Sequence, residues 1–266
     1  TDITVSGHQR LLNCAYQFYA FDILKLKPAD EIREALQKDD YGNRVHRCPH
    51  AFHCGIDGLP GPFPQAITEQ NRAQALALLH KIADAVFSAD IEDNFLHRGW
   101  LQRWRSHIPD YIDWQIEHNR EWTVANAEQR YAIALDTALT LRGRIDRIDR
   151  RGDDIGLIDY KTGRTPKLDE VLSGEDVQLP SYSLFMQHVA RVQYLGLDQK
   201  KIEDKTVIEG SVLQELQQQV RSRLLETMLR IRTGAPLPAL GQPPLCDHCD
   251  ASGLCRRKIW QRQKQD

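Results

Sequence analysis

The chain has 266 residues, of which 41% are hydrophobic and 27% charged, and its formal net charge at neutral pH is −2. This composition is that of an ordinary globular protein, large enough for one big domain or two small ones. The net charge argues against histone-like binding of nucleic acid through bulk positive charge, but it allows a local basic groove. The apolar runs are too short to cross a membrane, and the first residues lack a signal-peptide pattern.

The six cysteines are too few for a disulfide scaffold. Cys246, Cys249 and Cys255 lie close together in the sequence, whereas Cys14 stands alone near the start. This spacing favours cysteines used as metal ligands in a reducing, cytoplasmic setting. The chain begins at Thr1 rather than Met, which suggests a segment cut from a longer protein or a processed end.

The N-terminal part of the chain is predicted to be mainly helical. Ser6 followed by Gln9 is a capping-box pattern at a helix start, and apolar residues then recur at helical spacing. Residues 41–64 are rich in Gly, Pro and His and are predicted to be irregular. Helical patterns follow over 66–87 and in the Trp-rich stretch beyond, which Pro109 is expected to interrupt.

Strand-like segments dominate the middle of the chain. Two of them, Thr140 to Arg150 and Ile155 to Lys161, flank the polar stretch 151–154, which is predicted to be a hairpin turn. A helix is expected to start at Pro180, and a further strand is expected over Val192 to Leu197.

A long amphipathic helix is predicted next, because apolar residues recur at every fourth position. These residues are Val212, Leu216, Val220, Leu224 and Met228. The last thirty residues are rich in Pro and Cys and are predicted to be irregular.

The predicted hairpin brings two carboxylates and an ammonium group together. If Gly152 and Asp153 form a two-residue turn, residues whose numbers sum to 305 lie opposite each other, as Asp146 and Asp159 do. Lys161 is two residues beyond Asp159 and therefore projects from the same face. Two such carboxylates repel each other unless a cation binds between them, and Mg²⁺ or Mn²⁺ suits oxygen ligands. A bulge would shift this register, and an arbitrary Asp-x-Lys sequence is more often an exposed ion pair.

A site of this kind could hydrolyse a phosphodiester. The bound metal would lower the pKa of a water molecule and offset charge on the phosphate, while Lys161 would orient or help to deprotonate that water. Five arginines within 142–151 and a basic cluster at 256–258 could contribute to binding phosphate, although charge runs are more often solvated surface.

Two motifs, GRIDRID before the turn and IDYKTG after it, closely resemble those of the RecB-type nucleases of the PD-(D/E)XK superfamily. The resemblance implies that Asp146 and Asp159 bind metal and that Lys161 is catalytic. It also implies that the backbone carbonyl of Tyr160 completes the metal shell.

Further motifs extend the resemblance over about residues 4 to 260. Gln178 and Tyr182 match a Q-x-x-x-Y motif and would share one helix face, where they could contact DNA or the active site. His46 lies in a segment that resembles the G-x-x-x-H motif of the family, which implies a place at the metal site.

Glu128 matches the glutamate that often precedes the first core strand in this family, and it would ligate or orient the metal. Glu117 and Glu121 are nearby competitors for that role. The stretch 47–54 departs from the family in being rich in Cys and His. A second metal site there is conceivable, but hydrogen-bonded polar residues are the favoured interpretation.

The pattern Cys246-x₂-Cys249-x₅-Cys255, with Cys14 far upstream, resembles the cluster-binding arrangement of AddB-type helicase–nuclease subunits. The resemblance implies a 4Fe–4S cluster that joins the two ends of the domain and has a structural role. Four thiolates also suit Zn²⁺, which remains the alternative.

The sequence therefore predicts an α/β protein with a restriction-endonuclease-like core, in which a small mixed sheet is flanked by helices. We expect a single nuclease domain over 1–266. Its parts are a mainly helical N-terminal part (1–120), a catalytic core (121–232) and a Cys-rich tail (233–266) joined to Cys14.

The expected function is a Mg²⁺- or Mn²⁺-dependent deoxyribonuclease, favoured as an exonuclease, in DNA repair and recombination. The resemblance also implies a helicase, as a further region or a separate chain, as a partner. Two alternatives remain, namely a non-catalytic DNA-binding module that keeps the fold, and an interaction domain stapled by zinc.

Overall fold

A mixed β-sheet with helices on both faces forms the protein, so the predicted α/β class is confirmed. The computed structural model describes residues 1–27, 38–88, 95–198, 200–243 and 245–257. Within these ranges, no helix is long and apolar enough to cross a membrane.

The sheet of the described residues has six strands in the order β1-β3-β4-β5-β6, and β2 also pairs with β3. The strands are β1 (Asp2–Thr4), β2 (Thr123–Ala134), β3 (Thr140–Arg151), β4 (Asp154–Lys161), β5 (Val189–Gly196) and β6 (Asp204–Glu209). The β1–β3 and β4–β5 pairs are parallel, and the others are antiparallel. Because β2 lies along one edge of β3, β1 and β4 share the other edge, and residues 143–146 lie between them.

Helices occupy most of the N-terminal part and then alternate with the later strands. They are α1 (Val5–Asn13), α2 (Ala15–Phe18), α3 (Lys38–His53), α4 (Arg72–Ser88), α5 (Phe95–His118), α6 (Leu168–Leu172), α7 (Gln178–Tyr182), α8 (Gly210–Arg232) and α9 (Ser252–Cys255). A π-helical turn, Tyr19–Ile23, follows α2, and 3₁₀ turns cover Ser183–Phe185 and Leu245–His248.

Two helices run through prolines that were expected to exclude or interrupt them. Helix α3 contains Pro49 and covers much of 41–64, so the irregular structure predicted there begins only after His53. Helix α5 contains Pro109 without a break. An internal proline removes a backbone hydrogen bond, but packing of the flanking turns outweighs that loss. The residues that supply this packing are fully buried and include Val45, Phe52, Ile108, Tyr111 and Ile112.

The end of another predicted helix also differs. Helix α7 begins at Gln178 rather than Pro180 and ends at Tyr182. Strand β5 begins at Val189, three residues before the predicted Val192.

Two details of the helix patterns need correction. The side chain that caps α1 is Thr4, whose hydroxyl accepts a hydrogen bond from the Gly7 amide at 2.9 Å, and not Ser6. In α8 the buried stripe starts at Leu213, while Val212 is 44% exposed. A strict four-residue repeat drifts around a helix of 3.6 residues per turn, so the buried stripe needs one three-residue step.

The two faces of the sheet carry separate hydrophobic cores. Helices α3, α4 and α5 pack on one face against Ile158 and Tyr160 of β4. Helices α1, α7 and α8 belong to the second core with Leu157 of β4 and Val192 of β5. Strand β4 is therefore buried on both sides, as expected for a central strand with parallel pairing.

The predicted hairpin has the predicted register. Gly152 and Asp153 form the turn, and the pairs run from Arg151–Asp154 to Arg147–Ile158, each with residue numbers that sum to 305. Asp146 and Asp159 are the next residues in this register, one on each strand.

A buried ionic network ties the hairpin to α5. The Arg147 guanidinium is fully buried, donates to Asp149 Oδ1 at 2.7 Å and to Gln115 Oε1 at 2.5 Å, and lies over the Trp114 ring. His118 contacts the other oxygen of Asp149 at 2.6 Å. The Arg147 guanidinium and the His118 imidazole hold the pKa of Asp149 at about 2 despite its burial.

We expect that Arg147→Met lowers the free energy of unfolding by about 3–5 kcal/mol, because it leaves the Asp149 carboxylate buried without its main partner. Urea denaturation measures the loss. Arg120→Ala is the control, since Arg120 forms an exposed pair with Glu117 and should cost no more than about 0.5 kcal/mol. Equal losses in the two variants would contradict the prediction.

Candidate active site

A groove of about 780 Å³ opens where β1 and β4 meet the same edge of β3. Asp146, Asp159, Tyr160 and Lys161 line its floor, and His46 of α3 reaches it from the side. Helix α1 and strand β2 supply its other walls. The groove thus follows from the pairing of β3, because residues 143–146 are left between its two partner strands on that edge.

Three of the predicted metal ligands converge in this groove. His46 Nδ1 lies 3.4 Å from Asp146 Oδ2 and 3.9 Å from Glu128 Oε1. One ligand atom from each of the three residues lies within 4.8 Å of the others, which is close enough for a single metal ion to contact all three. Glu128 has a φ of 55° although it lies within β2, and non-glycine residues adopt this strained conformation mainly at special sites.

Asp159 and Lys161 form a second group beside the first. Lys161 Nζ lies 2.6 Å from Asp159 Oδ2 and donates to Gln178 Oε1 at 2.7 Å. The side-chain amide of Gln178 donates through Nε2 to Asp159 Oδ1 at 2.7 Å and to the Tyr182 hydroxyl at 3.0 Å. The five-residue helix α7 thus places Gln178 and Tyr182 on the face that was predicted for them.

The group of His46, Glu128 and Asp146 does not include Asp159, whose ligation of a metal stays a prediction. The two groups are linked through Tyr160, whose backbone amide donates to Asp146 Oδ2 at 2.8 Å. Ligation of a metal by the Tyr160 carbonyl stays a prediction.

Burial controls the ionisation of these groups. It raises the pKa of Asp146 to about 6 and the pKa values of Asp159 and Glu128 to about 7, and neighbouring carboxylates add to the last two shifts. Burial also lowers the pKa of His46 to about 4, so its imidazole is neutral at physiological pH and free to ligate a metal. Burial of Lys161 favours the neutral amine, but the Asp159 carboxylate outweighs it and raises the Lys161 pKa.

The two other glutamates that could have ligated or oriented the metal, Glu117 and Glu121, lie elsewhere. Glu117 pairs with Arg120 at 2.8 Å, and Glu121 lies 3.3 Å from Arg151. Within the described part of the chain, residues 47–54 form no group that could hold a metal. In that stretch, the Cys48 thiol contacts the Arg44 carbonyl and His53 contacts the Tyr111 hydroxyl, as the favoured interpretation expected.

The arginines between 142 and 151 do not form one basic face. Arg142 and Arg144 line the groove, and each also forms an ion pair at 2.9 Å, with Asp2 and Glu128 respectively. Arg147 is buried, and Arg151 extends over the Trp122 ring. Only part of the cluster can therefore face a ligand in the groove.

The cysteine-rich tail returns to the start of the chain. The Tyr16 amide donates to the Pro238 carbonyl at 3.1 Å, and Gln17 Nε2 lies 3.4 Å from Cys249 Sγ. A β-carbon built on Gly241 would meet Cys246 Sγ at 2.9 Å and Cys14 Sγ at 3.6 Å. Cys14, Cys246 and Cys249 thus gather at one place, while Cys255 lies on the short helix α9 that follows.

Comparison with known proteins identifies the family. The sequence model of the PD-(D/E)XK nuclease superfamily matches residues 2–256. The chain belongs to this superfamily. Its members use divalent metals, and the groups around His46 and Lys161 agree with a hydrolytic nuclease.

Individual relatives are distant. An uncharacterized protein of Rickettsia bellii is 24% identical over 69% of this chain and 21% of its own length. An ATP-dependent helicase/deoxyribonuclease subunit of Streptococcus agalactiae is 23% identical over 77% of this chain and 17% of its own length. The chain thus spans about a fifth of the length of these relatives. A candidate exonuclease from Eubacterium rectale covers 95% of this chain and is itself covered to 86%, with a TM-score of 0.40 and 14% identity.

Sequence reasoning missed one aromatic residue of the site. Tyr194 pairs with Asp159 in the β4–β5 register, and Lys161 Nζ lies 4.9 Å from the centre of its ring. Its hydroxyl donates to Asp176 at 2.6 Å. Tyr194 lies in the strand that was predicted over Val192 to Leu197. Pairing of that strand with β4 would have placed Tyr194 beside Asp159.

The raised carboxyl pKa values predict how metal-free protein responds to pH. A carboxyl whose pKa is raised in the folded state stabilises the fold below its unfolded pKa of about 4 and loses that stabilisation as pH rises through the folded value. We therefore expect the free energy of unfolding of Asp159→Asn, relative to that of wild type, to increase by about 1–3 kcal/mol from pH 5 to pH 8. Chemical denaturation with a chelator present measures this difference, and a difference that is independent of pH would contradict it.

Proposed function

We propose that this protein is a Mg²⁺- or Mn²⁺-dependent deoxyribonuclease that hydrolyses phosphodiester bonds. The observation that carries the proposal is that His46, Glu128 and Asp146 meet beside the Lys161–Asp159 pair in one groove. Carboxylates and a neutral imidazole can bind metal, and the adjoining ammonium can contact a phosphate.

The donor set fits a divalent metal of this kind. Oxygen ligands suit Mg²⁺, and one imidazole among carboxylates is compatible with Mn²⁺. Glu128 Oε2 and Asp159 Oδ2 are buried without a hydrogen bond of good geometry, although each lies near a cation. Such oxygens gain more from a metal ion than fully hydrogen-bonded ones would. His46, Glu128, Asp146 and Asp159 would hold the metal, which supplies activation of a water molecule and charge for the phosphate.

Lys161 acts as a fixed cation in this proposal. Its pKa is raised, so it carries a proton at neutral pH and is suited to orient a water molecule and to stabilise negative charge, rather than to accept a proton. Gln178 contacts both Lys161 and Asp159 and would hold their side chains in place. Tyr182 in turn accepts a hydrogen bond from Gln178.

The groove suits a DNA strand as substrate. Arg130, Arg142 and Arg144 line it and could contact phosphates, and α1 adds the side-chain amide of Asn13. We further propose exonuclease action in DNA repair beside a helicase. The likeness to the Streptococcus agalactiae helicase/deoxyribonuclease chain supports this role. The two cores share one sheet, which supports a single nuclease domain over 1–266.

Lys161→Ala is expected to lower the rate of Mg²⁺- or Mn²⁺-dependent cleavage of labelled single-stranded and duplex DNA by about 10²–10³-fold, because it removes the positioned cation. DNA binding should persist. The matched control is Lys205→Ala, since Lys205 pairs with Glu203 outside the groove. If wild type that contains its iron–sulfur cluster binds DNA but cuts neither substrate, the protein is a non-catalytic DNA-binding module and not a nuclease.

We also propose that Cys14, Cys246, Cys249 and Cys255 hold a 4Fe–4S cluster that joins the two ends of the chain. Support comes from the gathering of Cys14, Cys246 and Cys249. A clip across so long a loop stabilises the fold by reducing the entropy of the unfolded chain.

Cys255→Ser is expected to lose the brown colour and much of the bound iron of anaerobically purified protein, and to lower its thermal midpoint. Cys54→Ser is the matched control, because Cys54 is exposed and lies outside the cluster, and it should keep both properties. Metal analysis that finds zinc in place of iron and sulfide would overturn the cluster.

A further inference from the structure

A second cavity, of about 810 Å³, adjoins the groove. Asn43 and His46 line both spaces, so the two meet at the candidate metal site. The volume lies within the range of roughly 300–1,000 Å³ that is usual for small-ligand pockets. Nothing in the chemistry described above uses this space.

An aromatic platform lies in this cavity. The rings of Tyr41 and Trp100 are in contact, with their centres 5.6 Å apart. Tyr41 is only 5% exposed and packs against Trp100, which is partly buried and lines the cavity. The Arg103 guanidinium lies 5.6 Å from the centre of the Tyr41 ring. Aromatic rings stack on nucleobases of every sequence, because each base has a π-face.

The charges of the cavity are balanced. Asp198, with a side chain only 2% exposed, lies 2.6 Å from Arg103 and 3.1 Å from His107. Its carboxylate offsets the Arg103 charge, so the described lining lacks the excess positive charge that a phosphate site needs. Asn43 and Thr162 add neutral polar groups that can hydrogen-bond to a base or a sugar.

The cavity is also positioned next to the catalytic lysine. Thr162 and Gly163, which line it, directly follow Lys161 in the chain. A phosphate held at Lys161 and His46 would therefore have one neighbouring nucleoside in the groove and the other at the mouth of the cavity.

We propose that this cavity is a nucleoside site, which holds the base and sugar of one nucleotide adjoining the scissile phosphate, with the base stacked on Trp100. The inference rests on the proposed nuclease function, because it assigns the flanking nucleotide of that substrate.

Binding of deoxyadenosine 5′-monophosphate tests the site without any cleavage. The chain has five tryptophans, and Trp100→Phe assigns the indole NMR signal of Trp100. With a chelator present, we expect the nucleotide to shift this signal more than the other indole signals. Trp100→Ala should weaken binding by about tenfold, whereas Trp100→Phe should bind within about threefold of wild type.

The matched control is Tyr131→Ala, because Tyr131 is an aromatic residue that lines the groove and not the cavity. It should leave the affinity for the mononucleotide unchanged. Weaker binding in Tyr131→Ala together with normal binding in Trp100→Ala would place the base in the groove and overturn the proposal. An unshifted Trp100 signal would also overturn it.

Cleavage gives a second readout. A single-stranded substrate that lacks one base beside the scissile bond should have a KM about tenfold higher with wild type, and Trp100→Ala should add no further loss on that substrate. If the missing base and Trp100→Ala each raise KM and their effects add, the stacking contact is contradicted. If wild type cuts no DNA but binds the mononucleotide at Trp100, the nuclease function fails while the nucleoside site stands.

Discussion

The antiparallel pairing of β3 with β4 is the constraint on which the rest of the structure depends. Its register pairs Arg147 with Ile158, and Asp146 and Asp159 are the next residues on the two strands. On the same edge of β3, strand β1 pairs with Thr140–Arg142, while β2 covers the opposite edge, and this division of the first edge between β1 and β4 opens the groove. The position of the site, its acidic floor and its attachment to α5 all follow from this one set of hydrogen bonds.

The site is costly to the fold in the absence of metal. Burial raises the pKa of Asp146, Asp159 and Glu128, so at neutral pH the folded chain holds carboxylates that would ionise more easily in water. The two hydrophobic cores supply the compensating stability. A concentration of strained and desolvated groups in one groove is typical of a functional site that the surrounding packing maintains.

Local patterns were enough to predict the core of the site but not all of its surroundings. The turn residues Gly152 and Asp153 determined the register, and the motif letters identified the residues that the groove brings together. The continuous helices through Pro49 and Pro109 escaped prediction, because burial by residues distant in sequence decides them. Tyr194 and the Trp100 cavity depend on strand order and helix packing, which local sequence does not reveal.

Neighbouring residues of β3 serve opposite sides of the sheet, and this has a consequence for how the site forms. Asp146 faces the groove, while Arg147 belongs to the buried network. A slip of the hairpin by one residue exchanges the two faces. It would place a guanidinium among the carboxylates and a lone acid against the apolar helices. The acidic centre and the buried network therefore form together, and a chain whose hairpin has slipped by one residue has neither.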